Sequence, residues 1–347
     1  MKTKQYAIWN SRGTILISLM VLVGMLLFTG CEANNEPIDL SLLKSSSGSS
    51  DLIVEEYELV DVETDSPTHM EFTQWLTPDM IHKRAVWKNL TPDCAVQDIN
   101  TVLSKYGYSI EHEPMLSSYT YRLLENYAIL LNDIYPVGIA TENQDQDNFA
   151  LLVQNYEGDS YLLQKSGLQE WQPGGVYTYT PVYYQNELVY PVIHYTSQVA
   201  SEFGDSTIQI VSESGEVIYE TSLPSNPVMA PIQSFQSWNN HWILEKEGEV
   251  IMDGKSLNEE FGFDEIFEWR IIQGEPFFFV YDDESSTYSM VYAGKLLDQS
   301  YDDIAHYQCC EPAMFNPDGT GYMTWFYAVR DGKWYYVEAG IYPAFEK

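Results

Sequence analysis

The chain has 347 residues, 51 of them acidic and 17 basic, which gives a formal net charge of −34. Such a charge repels the phosphates of nucleic acids and anionic lipid head groups, so the composition excludes nucleic-acid binding as the function. It leaves cations, cationic surfaces and neutral ligands such as glycans as the permitted partners.

The first 30 residues have the features of an export signal. Three basic residues precede an apolar run over residues 14–28, which is shorter than the roughly 20 residues of a membrane-spanning helix. The small pair before Cys31 resembles a bacterial lipobox, although Phe28 stands where leucine is usual. The resemblance implies cleavage before Cys31, diacylglyceryl attachment to its sulfur, and anchoring in the bacterial envelope outside the cytoplasm. An ordinary secretory signal is the alternative.

Two segments precede the repeats. Residues 31–50 are polar and Ser-rich with no helical or strand periodicity, which predicts a flexible tether. Residues 51–110 form an N-terminal region with a helix predicted over 92–106, where Pro92 lies in the first turn and Gly107 stops the helix. This region either caps the repeats that follow or adds the strand that closes their first unit.

A repeat occupies residues 111–347. Short apolar or aromatic strands end at turn residues that recur every 39 to 48 positions. A period near 40–45 residues, built from short antiparallel strands, is typical of a β-propeller because one blade cannot cover its own apolar faces. The sequence therefore predicts an all-β fold, a β-propeller of about six blades with a range of five to seven. The turn marks are Asn126, Gly167, Gly215, Gly254, Gly294 and Gly340.

One of these marks lies in the stretch Gly248–Leu257, GEVIMDGKSL, which resembles a phosphate-binding loop. Such a loop needs four residues between its first glycine and the Gly-Lys pair, and here there are five. The stretch also has a counterpart in SMVYAGKLL (Ser289–Leu297). Lys255 and Lys295 are therefore predicted to be solvent-facing residues of repeated turns.

Acidic residues recur after the turn marks, in LNDI, FDEI and YDDI. They are Asp133, then Asp264 and Glu265, then Asp302 and Asp303. Equivalent positions in successive blades would gather at one end of the ring, where carboxylates could bind a hard cation or a ligand or catalyse glycoside hydrolysis. The alternative is that these acids close loops by accepting backbone N–H bonds.

Three further cysteines are Cys94, Cys309 and Cys310. In an exported protein, Cys94 could form a disulfide with either of the adjacent pair, or the pair could bridge each other, and one thiol is left over in each case. The sequence has no H-E-x-x-H, C-x-x-C or G-x-S-x-G pattern, so no catalytic residue, metal or cofactor is predicted.

Near the C-terminus, the turn Asn316-Pro317-Asp318-Gly319 leads into a strand with Tyr322, Trp325 and Phe326. This segment resembles a unit of the TolB-like and WD-type propeller families. The resemblance implies a propeller fold and a binding role, and it carries over no catalytic residues.

The sequence as a whole predicts a lipid-anchored extracytoplasmic protein. Its propeller would act as a non-enzymatic binding or scaffolding module for an envelope protein or a glycan. The alternatives are an exported glycan-acting hydrolase that uses carboxylates at one face of the ring, and a purely structural envelope protein.

Overall fold

The protein is described here by a computed structural model, in which short antiparallel strands joined by tight turns dominate. Within the described residues the strands form five antiparallel sheets. The prediction of an all-β chain is confirmed. The described residues are 40, 43, 52–59, 99–112, 120–142, 148–172, 179–194, 206–223, 231–308, 313, 315–319, 321 and 323–341.

The first sheet has six strands arranged in chain order. They are β2 (Tyr108–His112), β3 (Tyr121–Glu125), β4 (Ala128–Thr141), β5 (Phe149–Asn155), β6 (Ser160–Gln164) and β7 (Gly167–Glu170). The long strand β4 pairs with β3 up to Ile134 and with β5 from Ile134 onward. Asp133, where the partner changes, has a left-handed φ of 53°. The first sheet is therefore two shorter sheets that share one strand.

The next three sheets have four strands each, again in chain order. The second contains β8 (Val182–Tyr184), β9 (Glu187–His194), β10 (Thr207–Ser212) and β11 (Val217–Ser222). The third contains β12 (Ser234–Trp238), β13 (His241–Lys246), β14 (Glu249–Met252) and β15 (Lys255–Ser256). The fourth contains β16 (Glu265–Ile272), β17 (Glu275–Asp282), β18 (Thr287–Tyr292) and β19 (Lys295–Tyr301).

The fifth sheet combines strands from both ends of the described chain. It contains β1 (Ile53–Glu58), β20 (Asp303–Ile304), β21 (Asp318–Gly319), β22 (Met323–Arg330) and β23 (Lys333–Gly340). The path runs β1-β23-β22-β20, with β21 beside β22. β1 pairs with β23 from Ile53 opposite Gly340 to Glu58 opposite Tyr335. The N-terminal region, residues 51–110, thus supplies strands at two places: β1 completes the last sheet, and β2, which begins at Tyr108, is the edge strand of the first sheet.

The Gly-Lys stretches are tight hairpin turns. Asp253 and Gly254 have φ of 51° and 83°, and Ala293 and Gly294 have φ of 50° and 69°. Two consecutive left-handed residues are typical of the type I′ turns that suit the twist of paired strands. Gly340, by contrast, is the last residue of β23, and the chain after residue 341 lies outside the described residues.

Three stretches of the described chain are helical. Residues 99–103 are helical and continue into a 3₁₀ turn (Ser104–Tyr106), which ends at Gly107 with φ 82°, the residue where the sequence predicted a stop. A second helix, Leu257–Phe261, was not predicted, and the Ser256 side chain caps its N-terminus. In the part of the chain that is described, no helix has the length and apolar character needed to cross a membrane.

Each sheet packs against the next one along the chain. Apolar clusters join Leu152 to Leu188, Ile208 to Trp242, Ile243 to Phe278, and Phe279 to Phe326. The last contact is edge-to-face, with ring centroids 4.7 Å apart. The order of packing in space therefore repeats the order of the sheets in sequence.

Two residues of the predicted tether belong to this core. Leu40 and Leu43 are 4% and 0% exposed and lie in the apolar cluster of the third and fourth sheets. The segment predicted to be flexible up to residue 50 is therefore packed against the domain at these two positions, because its leucines bury apolar surface that a solvated tether would leave in water.

Candidate functional site

Two of the predicted acids hold hairpin turns. The Asp264 carboxylate accepts the backbone N–H of Asp283 at 2.8 Å, and the Asp302 carboxylate accepts that of Asp331 at 2.7 Å. Each acid precedes the first strand of its sheet and reaches the turn between the second and third main strands. In the third sheet Gln233 takes the same position and accepts the N–H of Glu247 at 2.8 Å. The repeated side chain thus closes a loop in three successive sheets.

The other predicted acids are divided between two places. Asp133 is exposed in the first sheet. Glu265 and Asp303 lie in the fourth and fifth sheets, close to His306. The Glu265 carboxylate is 3.1 Å from His306 Nε2, and the charge of Asp303 acts on the same imidazole. The structure therefore brings Glu265 and Asp303 together around a histidine, and it places Asp133 in another sheet.

His306 is held as an imidazolium. Its Nδ1 is 2.6 Å from the carbonyl oxygen of Ile304, and its Nε2 faces Glu265. Because both neighbours only accept hydrogen bonds, both ring nitrogens must carry a hydrogen. Burial opposes this charge, but the hydrogen bond and charge of Glu265, with smaller effects of Ile304 and Asp303, raise the pKa of His306 overall. The ring stacks on Phe267 with centroids 4.0 Å apart.

A buried carboxylate, Glu245 on β13, lies next to this histidine site. It is 1% exposed and accepts four hydrogen bonds. The backbone N–H groups of Glu268 and Trp269 donate at 2.8 Å each, the Tyr307 hydroxyl at 2.8 Å and the Ser234 hydroxyl at 3.3 Å. Burial raises the pKa of Glu245, and these donors oppose the shift. The carboxylate thus joins the third sheet to the fourth and to the chain that follows β20.

The two amides reach Glu245 because β16 is bulged. Its register with β17 shifts between Phe267 and Arg270, and Glu268 has a left-handed φ of 57°. A bulge leaves residues unpaired in the ladder and turns their backbone groups toward another partner. Here two consecutive N–H groups point across to the neighbouring sheet, where the carboxylate receives them.

Tyr307 connects the chain after β20 to the third sheet. Its hydroxyl donates to Glu245 and accepts the N–H of Gly248 at 3.0 Å. Burial and the negative charge of Glu245 raise the pKa of Tyr307 well above its usual range, so the hydroxyl remains a donor. We call Glu245, Glu265, His306 and Tyr307 the junction cluster, because they connect the third, fourth and fifth sheets.

Arg270 lies beside the junction cluster and forms an ion pair with Glu268. Burial lowers the pKa of Arg270 to about 10, against the charges of Asp318 and Glu245. The fit is close, since a Cβ atom at position 319 would lie 2.1 Å from Arg270 Nη1. Glycine at 319 therefore allows the guanidinium to pack on the backbone of β21.

The side chains of the junction cluster are engaged with one another and with the neighbouring backbone, and they connect sheets. Both ring nitrogens of His306 are engaged, Nδ1 with the Ile304 carbonyl and Nε2 with Glu265. The Glu245 oxygens are saturated and Glu265 is bound to His306. Among the described residues there is also no group of three or more histidine, cysteine or acidic side chains placed to hold a metal ion. Cys31, Cys94, Cys309, Cys310 and Tyr322 lie outside the described residues.

Two predicted acids, Glu265 and Asp303, lie at this site, whereas Glu245 and Tyr307 were not predicted as site residues. The YDDI repeat pointed to the chain that carries His306. Glu245 lies inside an ordinary strand, and Tyr307 is one of 27 tyrosines. No local pattern distinguishes either residue, because their partners come from other sheets.

No protein-family model and no curated protein matches the chain. Among solved structures, it is similar to the Cps50 (Swd1) β-propeller domain of Myceliophteria thermophila, with 8% identity over 67% of this chain and 80% of that one and a TM-score of 0.31. BBS1N, in complex with ARL6DN, has 8% identity over 69% and 76% and a TM-score of 0.27. The acylaminoacyl peptidase of Pyrococcus horikoshii has 12% identity over 69% and 44% and a TM-score of 0.32. TM-scores this low assign neither a fold nor a function to this chain.

Proposed function

We propose that the chain is an extracytoplasmic lipoprotein, anchored through Cys31, whose antiparallel sheets form the blades of a β-propeller that binds or scaffolds a partner in the bacterial envelope. The observation that carries the proposal is the topology. Consecutive antiparallel sheets follow one another along the chain, and the last is completed by the first strand, β1. Such a strand joins the two ends of the chain, which is what a closed ring of blades requires.

Bonds between neighbouring sheets support the blade arrangement. The Ile266 N–H donates to the Gly248 carbonyl at 2.8 Å, between the third and fourth sheets. At the other end of the same two sheets, the Trp238 indole donates to the Gly274 carbonyl at 3.0 Å. Because the third and fourth sheets are hydrogen-bonded to each other at both ends of their strands, they lie side by side with the same polarity. Blades around an axis have this arrangement.

A binding role is favoured over hydrolysis because three of the five predicted carboxylates are engaged within the protein. A glycosidase needs one carboxyl group free to protonate the leaving group and a second free to act as nucleophile or base. Asp264 and Asp302 instead hold turns, and Glu265 pairs with His306. The partner that remains permitted by the charge is an envelope protein with a basic surface or a neutral glycan.

The hydrolase alternative is tested by incubating the purified chain with insoluble envelope glycan and measuring new reducing ends. We expect no release above the protein-free control, and no difference between the natural chain and the Glu265→Gln and Asp303→Asn variants. Release that disappears in Glu265→Gln would favour the hydrolase and contradict the binding role.

Anchoring is tested with the Cys31→Ala variant expressed in a bacterial host. We expect the natural chain to be recovered with membranes and the variant to appear in the soluble exported fraction, because the acyl chains contribute about 0.8 kcal/mol per buried CH₂. Cys94→Ala is the matched control and should remain with the membranes. A Cys31→Ala chain that still partitions with membranes rules out the lipid anchor.

A further inference from the structure

The segment that would connect the lipid to the domain is docked at a defined place. The backbone N–H of Leu43 donates to the carbonyl of Leu40 at 2.9 Å, and both side chains are buried between the third and fourth sheets. Their neighbours there include Trp238, Met252 and Val291. Both leucines remove apolar surface from water, which stabilises the docked segment.

Gly294 shapes the docking place. In the turn between β18 and β19, a Cβ atom at this position would lie 2.4 Å from the Leu40 carbonyl oxygen and 3.4 Å from the Leu43 carbonyl carbon. The backbone of the segment therefore lies directly on the turn, and any side chain at 294 would displace it. The equivalent Gly254 has a different neighbour, since a Cβ atom there would lie 3.1 Å from the ring of Tyr219 on β11.

The docking place lies at one end of the sheets, and the two ends differ in charge. The glycine end of the third and fourth sheets carries the turns at Gly254, Gly274 and Gly294, with Lys255 and Lys295 exposed beside them. The opposite end of the strands, which we call the acidic end, carries the other hairpin turns of these sheets. Exposed there are Glu247, Asp264, Asp283, Glu284, Asp302 and Asp331.

We propose that Leu40 and Leu43 fix the point where the lipid tether leaves the domain, so that the glycine end faces the membrane and the acidic end faces away from it. This inference rests on the proposed attachment of lipid at Cys31. Nine residue steps separate Cys31 from Leu40, and an extended chain advances at most about 3.6 Å per residue. Leu40 thus lies within about 32 Å of the attachment point, whatever path the chain takes.

The charge distribution also favours the orientation in which the glycine end faces the membrane. Anionic lipids repel negative charge within about a Debye length, some 8–10 Å at physiological salt. With the acidic end toward the bilayer, the exposed carboxylates would lie in this field, whereas the glycine end presents Lys255 and Lys295. The acidic end is then the surface that remains available to a basic partner.

The orientation is tested with the full-length lipid-modified chain in vesicles that contain anionic lipid and a head-group energy acceptor. A donor fluorophore is attached at Lys295 in one sample and at Asp283 in another, at opposite ends of the fourth sheet. Since β18 has six residues, the two sites are about 20 Å apart along the strand direction. Because position 295 would lie nearer the acceptors by this distance, we expect energy transfer at position 295 to exceed that at position 283.

Docking is tested separately with Leu43→Ser, which should reduce the difference in transfer between the two sites. Leu296→Ser is the matched control, because Leu296 is 50% exposed near the same turn, and should leave the difference unchanged. Gly294→Ala provides a second variant that displaces the segment without removing a leucine. A chain that fails to bind vesicles overturns the anchor itself, whereas a bound chain with equal transfer at both sites overturns the orientation alone.

Discussion

At the scale of single residues, His306 is the group whose charge depends most directly on its contacts. It faces Glu265 and Asp303, and the rings of Phe267, Tyr288 and Tyr307 surround it. Burial raises the pKa of Tyr288 to about 12, helped by Glu265 and Asp303, so this tyrosine stays neutral near His306. The imidazolium is thus the positive member of a largely enclosed pair that connects the fourth and fifth sheets.

This arrangement predicts that stability falls as the pH rises. Because the folded pKa of His306 is raised above the unfolded value of about 6.5, its contribution is complete below that value and is lost as pH passes through the folded pKa. Between the two pKa values the free energy of unfolding should decrease by up to about 1.4 kcal/mol per pH unit. Urea unfolding at a series of pH values measures this slope.

The variants that check the assignment are His306→Gln and Glu265→Gln, in which the slope above pH 6.5 should flatten. His241→Gln is the control, since His241 lies on β13 and contacts Asp253 through one nitrogen only, at 2.6 Å. It should retain the slope of the natural chain. A slope that persists in His306→Gln means that another group causes it.

At the scale of elements, the strands followed from the sequence wherever pairing is local. FFFVYDD and WFYAVRD were predicted as strands and form most of β17 and β22, and the turn RDGK joins β22 to β23. Alternating apolar residues and Gly or Asp turns decide such hairpins without help from distant residues. The type I′ turns at Gly254 and Gly294 are of this kind.

Elements that depend on distant partners did not follow from the sequence. The spacing of turn marks placed Asn126 and Gly167 in separate units, and they lie on either side of Ile134, where β4 changes its partner from β3 to β5; the single long strand that links the two units into one sheet was not predicted. The bulge in β16 has no signature of its own, since it is stabilised by Glu245 from another sheet. Glu245 and Tyr307 were not predicted for the same reason, because their partners lie in other parts of the chain.

At the scale of the whole molecule, β1 is the strand that links the beginning of the domain to its end. Its Glu56 carboxylate accepts two hydrogen bonds from Arg330 at 2.8 and 2.9 Å and one from the Tyr301 hydroxyl at 2.6 Å. Burial opposes the charge, but Arg330 and Tyr301 lower the pKa of Glu56 overall. The arginine also lies over the ring of Tyr335, 4.7 Å from its centroid.

If β1 closes the fold, weakening its attachment must weaken the whole domain. Glu56→Gln keeps the size of the side chain but removes the charge that Arg330 and Tyr301 both contact, and we expect a loss of about 1.5–3 kcal/mol. Glu58→Gln on the same strand is the control. Its partner Lys333 forms an exposed pair at 2.8 Å, so the loss of this pair should leave the stability of the domain nearly unchanged.

The measurement is denaturant unfolding followed by tryptophan fluorescence, together with hydrogen exchange of amides in the first sheet. Because a ring is lost as one unit when its closing strand detaches, we expect Glu56→Gln to shift a single transition and to speed exchange in β5 and β6, whose sheet does not contain β1. If exchange rises only in β22 and β23, the strand stabilises its own sheet alone. The five sheets would then be an open row of units, each held by its neighbours, and closure by β1 would be wrong.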